Sequence, residues 1–354
     1  MARVFNFNPG PAVLPIEVLQ EAQAQLVDFK GIGMSLMEAS HRGKDYEAVA
    51  NLKTLLGLGD DYQVLFLQGG ASLQFSMVPM NLLSEGQVAD YVHTGAWASK
   101  AIKEAKILGK VNIVADTSKD SPARIPAVSS LKFTPGAAYV HITSNETIAG
   151  TQWKEFPKTE SPLAADMSSD ILSRPFDAKR FGLIYAGAQK NLGPAGVTLV
   201  VMKKDLVGKA SEKVPIILRY KTHADENSLY NTPPCFAIYV VLLVTRWILA
   251  KGGLQAMGRM NAEKAAKLYA TIDSSGFWRG TAAKDSRSDM NVTFRLPTEA
   301  LEETFIKEAS AQNLKGLKGH RSVGGVRASI YNAFPAEGVD ALVSFMKDFE
   351  KKNG

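Results

Sequence analysis

The chain has 354 residues, of which 45% are hydrophobic and 21% are charged, so it can bury the core of one large domain or of two unequal ones. Its formal net charge of +6 fits either a mildly basic, solvated surface or the attraction of small anionic ligands. Because no Lys/Arg block exceeds two consecutive residues and no aromatic residues are interleaved with basic ones, we expect no nucleic-acid partner.

The first 60 residues predict two helices. Met1 to Gly10 has no apolar core of the signal-peptide type. Pro15 begins a helix that spaces four side chains along one face, namely Ile16, Leu19, Gln23 and Leu26. A second amphipathic helix ends near Gly57, and its face comprises Tyr46, Val49, Leu52 and Leu56.

Short apolar runs then alternate with helical segments, which is typical of an α/β fold. Seven runs predict buried strands, at 64–67, 88–92, 111–115, 138–143, 163–166, 183–186 and 197–202, with helices at about 72–83 and 97–108. The alternation predicts a mainly parallel seven-stranded sheet with helices on both faces. The apolar run 235–244 is shorter than the roughly 20 residues of a membrane span, so we expect a buried helix at 234–250 and no membrane partner.

The pattern changes near residue 250 and predicts a second, smaller domain. Strands at 291–296 and 326–331 and helices at 301–312 and 339–351 form a compact α+β unit. We therefore predict a large domain of residues 14–252 and a small domain of residues 1–13 and 253–354. The single cysteine, Cys235, excludes an internal disulfide and fits a reducing, cytoplasmic location.

Three loops at strand ends carry residues that suit a ligand site, because ligands of open α/β sheets bind beyond the carboxyl ends of the strands. The Gly69-Gly70-Ala71-Ser72 loop precedes a helix whose N–H groups suit a phosphate, although an ordinary turn fits equally well. Asp166 ends a strand, where a carboxylate faces a cationic ligand or else caps a turn. Lys190 follows the next strand; partial burial makes its amine a nucleophile, whereas most lysines are simply solvated.

The order of these residues resembles the fold-type I enzymes that use pyridoxal 5′-phosphate (PLP), with the lysine 24 residues after the aspartate. The resemblance implies that the helix N-terminus at Ser72 binds the cofactor phosphate and that Asp166 pairs with the pyridine nitrogen. Lys190 would hold the cofactor aldehyde as an imine and move the proton at the substrate α-carbon. Trp97 would lie flat on the ring, although a plain core tryptophan is the alternative.

Five longer motifs resemble the phosphoserine aminotransferases, a family of class V aminotransferases, from one end of the chain to the other. They lie at 6–12, 40–43, 144–152, 231–234 and 319–329. The cofactor loop departs from the family pattern at Leu73, where a glycine is common. The reaction that the resemblance implies, in serine biosynthesis, moves an amino group between glutamate and 3-phosphohydroxypyruvate, giving 2-oxoglutarate and phosphoserine. A 4-phosphohydroxythreonine substrate in pyridoxine biosynthesis is a further possibility, and no metal is expected.

The same resemblance implies a role for each matching residue. The cofactor would be contacted by Ala71, Ser72, Trp97, Thr147, Asp166, Gln189 and Lys190, and across a homodimer interface by Asn231 and Thr232. Planar arginine donors and adaptable histidines suit a pocket that accepts either a phosphate or a carboxylate. That pocket would comprise His41, Arg42, His320 and Arg321, while Arg327 would bind the α-carboxylate.

Three other functions stay open from the sequence. An aminotransferase for small amino acids, of the alanine–glyoxylate or serine–glyoxylate type, has the same fold but does not need Arg42, His320 and Arg321. A cysteine desulfurase needs a mobile cysteine, and Cys235, beside Pro234, is better explained as a structural thiol. A non-catalytic nucleotide-binding module would use Gly69 and Gly70, but the G-x-G-x-x-G spacing is missing.

Overall fold

The computed structural model describes residues 3–38 and 47–354. Within them the α-helices are α1 (Ile16–Ala24), α2 (Glu47–Leu56), α3 (Gly70–Leu82), α4 (Ala96–Leu108), α5 (Tyr220–Asp225), α6 (Cys235–Ala250), α7 (Gly253–Asp273), α8 (Glu299–Ala311) and α9 (Ala336–Asn353). The strands are β1 (Phe5–Asn6), β2 (Tyr62–Leu67), β3 (Val88–His93), β4 (Lys110–Asp116), β5 (Val140–Thr143), β6 (Asn145–Glu146), β7 (Thr151–Gln152), β8 (Leu163–Asp166), β9 (Phe181–Gly187), β10 (Thr198–Lys203), β11 (Arg279–Gly280), β12 (Asn291–Arg295), β13 (Leu314–Lys315) and β14 (Val326–Ser329).

A seven-stranded sheet forms the centre of the molecule, in the order β2-β10-β9-β8-β5-β3-β4. The predicted α/β class and the mainly parallel sheet are confirmed. The exception is β10, which is antiparallel to both of its neighbours, β2 and β9. All remaining pairs in this sheet are parallel.

The two faces of the sheet are covered by different helices, as alternating side chains on β2 show. Val64 and Phe66 belong to the hydrophobic core formed with α2 and α6. Leu65 and Leu67 point to the other face and pack with α3 and α4. Since successive residues of a strand face opposite sides, a sheet covered on both faces requires apolar residues at consecutive positions. This is why the strands of the sequence are continuous apolar runs.

A second core lies under the smaller antiparallel sheet β11-β12-β14. Aromatic side chains dominate it, including Phe294 on β12, Phe305 on α8 and Phe349 on α9. Phe7, near the start of the chain, is also part of this core, and β1 pairs in parallel with β13. The division of the chain into residues 14–252 and the remainder stays a prediction.

One expectation for α1 was wrong. The stripe through Ile16 and Leu19 is not the buried side of α1: these residues are 48% and 37% exposed, while Val18 and Ala22 are buried. Tyr46 lies outside the described residues.

The helix α7 was not predicted at all. Gly252 and Gly253 have φ angles of 99° and 68°, and α7 begins directly after this turn instead of the chain entering a loop. Its buried stripe contains the polar Asn261 and Lys264, which conceal the helical period. In the described residues, no individual helix combines the length and apolarity needed to cross a membrane, whereas α6 and α7, bent by 84° at their junction, meet that criterion only as a pair.

Candidate active site

The loops predicted to carry the site leave the sheet at one edge. Leu67 at the end of β2 and Gly187 at the end of β9 both pair with Thr198 of β10. Asp166 at the end of β8 pairs with Thr143 at the end of β5. Because β2, β5, β8 and β9 run in the same direction, the segments that follow them start side by side.

The N-terminus of α3 offers unpaired backbone donors at this edge. Gly69 precedes the helix with a φ of 87°, and no side chain caps it. The first helical hydrogen bond runs from Leu73 N to Gly69 O at 3.2 Å, so the N–H groups of Gly70, Ala71 and Ser72 have no acceptor within the helix. Such a terminus favours an anion, and a phosphate in particular.

The departure at Leu73 has a local structural explanation. A Cβ added to Gly69 would lie 2.5 Å from Leu73 Cδ2 and 2.6 Å from Leu73 Cβ. The leucine therefore packs over the bare backbone of Gly69.

Asp166 is a buried carboxylate with one oxygen bound and one available. Its Oδ1 accepts hydrogen bonds from Ser168 N at 2.9 Å and Ser168 Oγ at 2.6 Å. Burial raises the pKa of Asp166, while the charge of Lys190 and the bonds from Ser168 oppose that rise. In the described part of the chain nothing donates to Oδ2, which suits a protonated ring nitrogen. Ser168 was not predicted, although an aspartate followed by a serine two residues later is a known signal of this turn.

Lys190 lies among the predicted cofactor residues. Its Nζ donates to Thr147 Oγ1 at 2.7 Å and lies 4.7 Å from the centroid of the Trp97 ring. Burial lowers the pKa of Lys190, and the carboxylates of Asp166 and Glu146 oppose the shift. An amine with a lowered pKa is more often neutral and is then a nucleophile for a carbonyl group.

Trp97 is held at the start of α4 by Glu146, which lies in the motif at 144–152 but was not predicted as a site residue. The carboxylate of Glu146 accepts the backbone N–H of Trp97 at 3.2 Å and that of Ala98 at 3.0 Å. The indole Nε1 of Trp97 is buried and has no hydrogen-bond partner among the described residues. Glu146 directly precedes Thr147, and this adjacency was the only sequence signal for it.

A cationic pocket adjoins these residues. Arg327 on β14 is buried, its Nη1 lies 3.5 Å from Thr147 O, and its Nε has no partner in the described chain. His320 Nδ1 accepts the backbone N–H of Ser322 at 3.2 Å. Both His320 and Arg327 line a cavity of about 510 Å³. A buried guanidinium with an unpaired donor is suited to bind a carboxylate.

Nearby cations affect the pKa of His320. Burial lowers the pKa of His320, and the charges of Arg327, Arg321 and Lys100 lower it further. His320 and Arg327 thus line one cavity, Arg321 is exposed next to His320 in the chain, and Lys100, whose Nζ lies 4.4 Å from the centroid of the Trp97 ring, is a further nearby cation. The two other predicted members of the anion pocket, His41 and Arg42, lie outside the described residues.

The remaining predicted residues lie at the margin of the site. Gln189 is partly buried beside Lys190, and its carbonyl accepts the N–H of Ala12 at 2.9 Å. Asn231 and Thr232 are exposed; Asn231 Nδ2 donates to Gln68 Oε1 at 3.4 Å, directly before the α3 loop. Within one chain they therefore lie near the loop but are not enclosed by it.

Taken together, the donors fit an anionic aromatic cofactor such as PLP. The free N–H groups of α3 suit a phosphate, Asp166 Oδ2 suits a ring nitrogen, and the amine of Lys190 suits an aldehyde. The Trp97 ring lies 4.7 Å from Lys190 Nζ, so an aromatic side chain is next to the lysine that would bear a planar cofactor.

The fold and the site define an aminotransferase, and comparison with known proteins agrees. The model of the family "Aminotransferase class-V" matches residues 4–342, so the chain belongs to that family. Relatives that match over the full length include phosphoserine aminotransferases, as the motifs indicated. One, from Desulfosudis oleivorans, is 61% identical over 99% of both chains.

Solved structures give the same result. The phosphoserine aminotransferase from Bacillus circulans subsp. alkalophilus superimposes with a TM-score of 0.97 at 55% identity, covering 99% of both chains. The PLP-bound phosphoserine aminotransferase from Trichomonas vaginalis has a TM-score of 0.93 at 41% identity and covers 98% of this chain and 100% of its own.

Proposed function

We propose that this chain acts as a PLP-dependent phosphoserine aminotransferase, which moves an amino group between glutamate and 3-phosphohydroxypyruvate. The observation that carries the proposal is the position of the Lys190 amine, 2.7 Å from Thr147 Oγ1 and 4.7 Å from the Trp97 ring, at the same sheet edge as Asp166. Full-length similarity to phosphoserine aminotransferases supports the choice of substrate.

Each of these residues has a distinct task in transamination. When bound, PLP supplies a conjugated ring that accepts electrons from the substrate α-carbon. Lys190 would hold the cofactor through its aldehyde, and its amine would carry the proton to and from the substrate α-carbon. Asp166 would keep the ring nitrogen protonated through its available oxygen, and the N–H groups of Ala71 and Ser72 would hold the phosphate.

The cationic pocket accounts for two substrates in one site. Arg327 binds the α-carboxylate that phosphoserine and glutamate share. His320 and Arg321 bind the distal group, which is a phosphate in one substrate and a carboxylate in the other. An enzyme for small amino acids has no need of this second cluster, which argues against the alanine–glyoxylate type.

Cys235 gives no support to a desulfurase. Its Sγ lies 3.3 Å from the carbonyl oxygen of Pro233, and burial raises the pKa of the thiol. A protonated thiol is a poor nucleophile.

Spectroscopy, chemical trapping and substrate preference test the proposal together. Purified protein should absorb in the visible range, and borohydride should fix the cofactor on Lys190. Lys190→Ala should abolish transamination of phosphoserine, whereas Lys347→Ala, on the exposed side of α9, should not. Turnover by Lys190→Ala, or a higher kcat/KM for alanine than for phosphoserine, would contradict the proposal.

A homodimer is also proposed, because a contiguous part of the chain exposes apolar side chains. Val27, Ile32 and Met37 are 82%, 54% and 68% exposed and follow the exposed stripe of α1. Isolated exposed apolar residues are ordinary, but a cluster indicates an interface. Sedimentation of the wild type as a dimer and of Val27→Glu as a monomer is expected; a monomeric wild type would contradict it.

Two further proposals concern an additional substrate and the location of the protein. The 4-phosphohydroxythreonine substrate has the same phosphate and α-carboxylate as phosphoserine and is longer by one hydroxyl-bearing carbon, so the same cations can bind it; turnover measured with both compounds decides this. A cytoplasmic location, without membrane or nucleic-acid partners, is supported by the single cysteine and is tested by cell fractionation.

A further inference from the structure

We propose that Glu146 is a positioning residue that fixes the first turn of α4 and thereby holds Trp97 against the cofactor ring. The inference rests on the proposed function, since it takes Trp97 and Lys190 to border the cofactor. Glu146 itself is assigned no contact with cofactor or substrate.

The helix α4 cannot cap its own N-terminus. Its N-cap residue is Gly95, which has no side chain, and the first helical bond runs from Ser99 N to Gly95 O at 2.9 Å. The N–H groups of Trp97 and Ala98 therefore lack acceptors within the helix. Glu146, from a different part of the chain, accepts both of them, one with each carboxylate oxygen.

The backbone at Gly95 is shaped to admit this carboxylate. A Cβ added to Gly95 would lie 2.7 Å from Glu146 Cδ and 2.9 Å from Oε2. Since Gly95 has an extended φ of 164°, which any residue adopts, its backbone conformation does not require glycine. The space needed by Glu146 is the physical reason for a glycine here.

The same short segment also holds the reactive lysine. Thr147, the next residue after Glu146, accepts the hydrogen bond from Lys190 Nζ. The segment is itself fixed, because β6 pairs with β7 and Glu146 O accepts the N–H of Gly150 at 2.9 Å. One dipeptide thus sets the position of Trp97 and of Lys190 relative to each other.

The carboxyl group of Glu146 lies where burial disfavours its charged form. The side chain is fully buried, and burial raises its pKa to about 7, opposed by the N–H groups of Ala98 and Trp97. Of the charged groups that face it, Asp166 on β8 raises the pKa further and Lys190 lowers it. An acid that only stabilised the helix would do so equally well at a solvated position.

Two measurements, the affinity for PLP and the circular dichroism of the bound cofactor, distinguish a positioning role of Glu146 from an effect on stability alone. Glu146→Gln keeps one acceptor but turns an amide N–H₂ towards the second backbone donor. We expect PLP to bind the apoprotein about tenfold more weakly, the size expected for one hydrogen bond to a charged acceptor, and the visible dichroism per bound cofactor to fall. The matched control is Glu303→Gln on the exposed side of α8, which should equal the wild type in both.

A second variant keeps the carboxylate of Glu146 and fills the space that it occupies beside Gly95. Gly95→Ala should weaken PLP binding in the wild-type background but add no further loss to Glu146→Ala, where the new Cβ meets no carboxyl group. This variant decides the matter if Glu146→Gln does not fold.

The inference is overturned if Glu146→Gln and Gly95→Ala both bind PLP within about twofold of the wild type with unchanged dichroism. It is also overturned if the losses caused by Gly95→Ala and Glu146→Ala are additive in the double variant. A wild type that bound no PLP, or that was trapped at a lysine other than Lys190, would instead contradict the proposed function.

Discussion

Replacing Gly69 with alanine perturbs the cofactor loop through two separable effects. The residue has a φ of 87°, a region where a side chain costs about 1–2 kcal/mol. The added Cβ also meets Leu73 at 2.5 and 2.6 Å, and overpacking of this kind costs about 1–3 kcal/mol. We therefore expect Gly69→Ala to lower the free energy of unfolding of the apoprotein by about 2–5 kcal/mol and to weaken PLP binding, because the N–H groups of α3 shift.

A double-mutant cycle with Leu73→Gly isolates the clash. Leu73→Ala is not a suitable partner, because alanine keeps the Cβ that lies 2.6 Å from the new methyl group. In the cycle, the cost of the positive φ and the cost of glycine in a helix cancel. The double variant should therefore be about 1–3 kcal/mol more stable than the sum of the two single losses predicts. Urea denaturation and PLP titration measure both quantities. A loss below about 0.5 kcal/mol for Gly69→Ala, or no coupling, would refute the account of this loop.

Three other predictions concern the charges of the site. Asp166→Asn should lower kcat about a hundredfold or more, because the ring nitrogen loses its anionic partner; steady-state assays test this, and an unchanged kcat speaks against the pairing. Arg327→Lys should raise KM about tenfold for phosphoserine and for glutamate alike, since both share the α-carboxylate; an effect on one substrate only would place Arg327 at the distal group. Because the pKa of His320 is lowered below its usual value of 6.5, His320 gains its proton only as the pH falls below that value, so the ratio of phosphoserine KM in His320→Ala to that in the wild type should grow from pH 7 to pH 5; a constant ratio would contradict a role for the protonated imidazole in anion binding.

Features that depend on neighbouring residues could be predicted from the sequence, whereas features that depend on distant residues could not. The strand ends at Asp166 and near Lys190 were predictable, because apolar runs mark buried parallel strands and ligands bind where those strands end. The helix α7 was missed because Asn261 and Lys264 are buried in its stripe. Asn261 donates to Ser173 O and Asn332 Oδ1, and Lys264 Nζ donates to three backbone carbonyls, and these distant partners leave no trace in the local pattern.

The role of Glu146 was hidden for the same reason. Its hydrogen-bond acceptors serve N–H groups 49 and 48 residues earlier in the chain, and only the folded sheet brings them together. The side of α1 that is buried was also mispredicted, because hydrophobic spacing alone does not say whether a stripe faces the chain's own core or its exterior.

The antiparallel strand β10 fixes the distance between two loops of the site, and this limits which changes in the sheet preserve the site. Since Leu67 and Gly187 pair with the same residue, Thr198, the loops that begin after them start two strand spacings apart, or about 9.5 Å. Main-chain hydrogen bonds set that span, so substitutions along β10 leave it unchanged. Insertion of a single residue would slide one loop against the other by about 3.4 Å and separate the phosphate anchor from the lysine. Apolar substitutions that fit the two cores are therefore compatible with the site, whereas a change in the length of this strand is not.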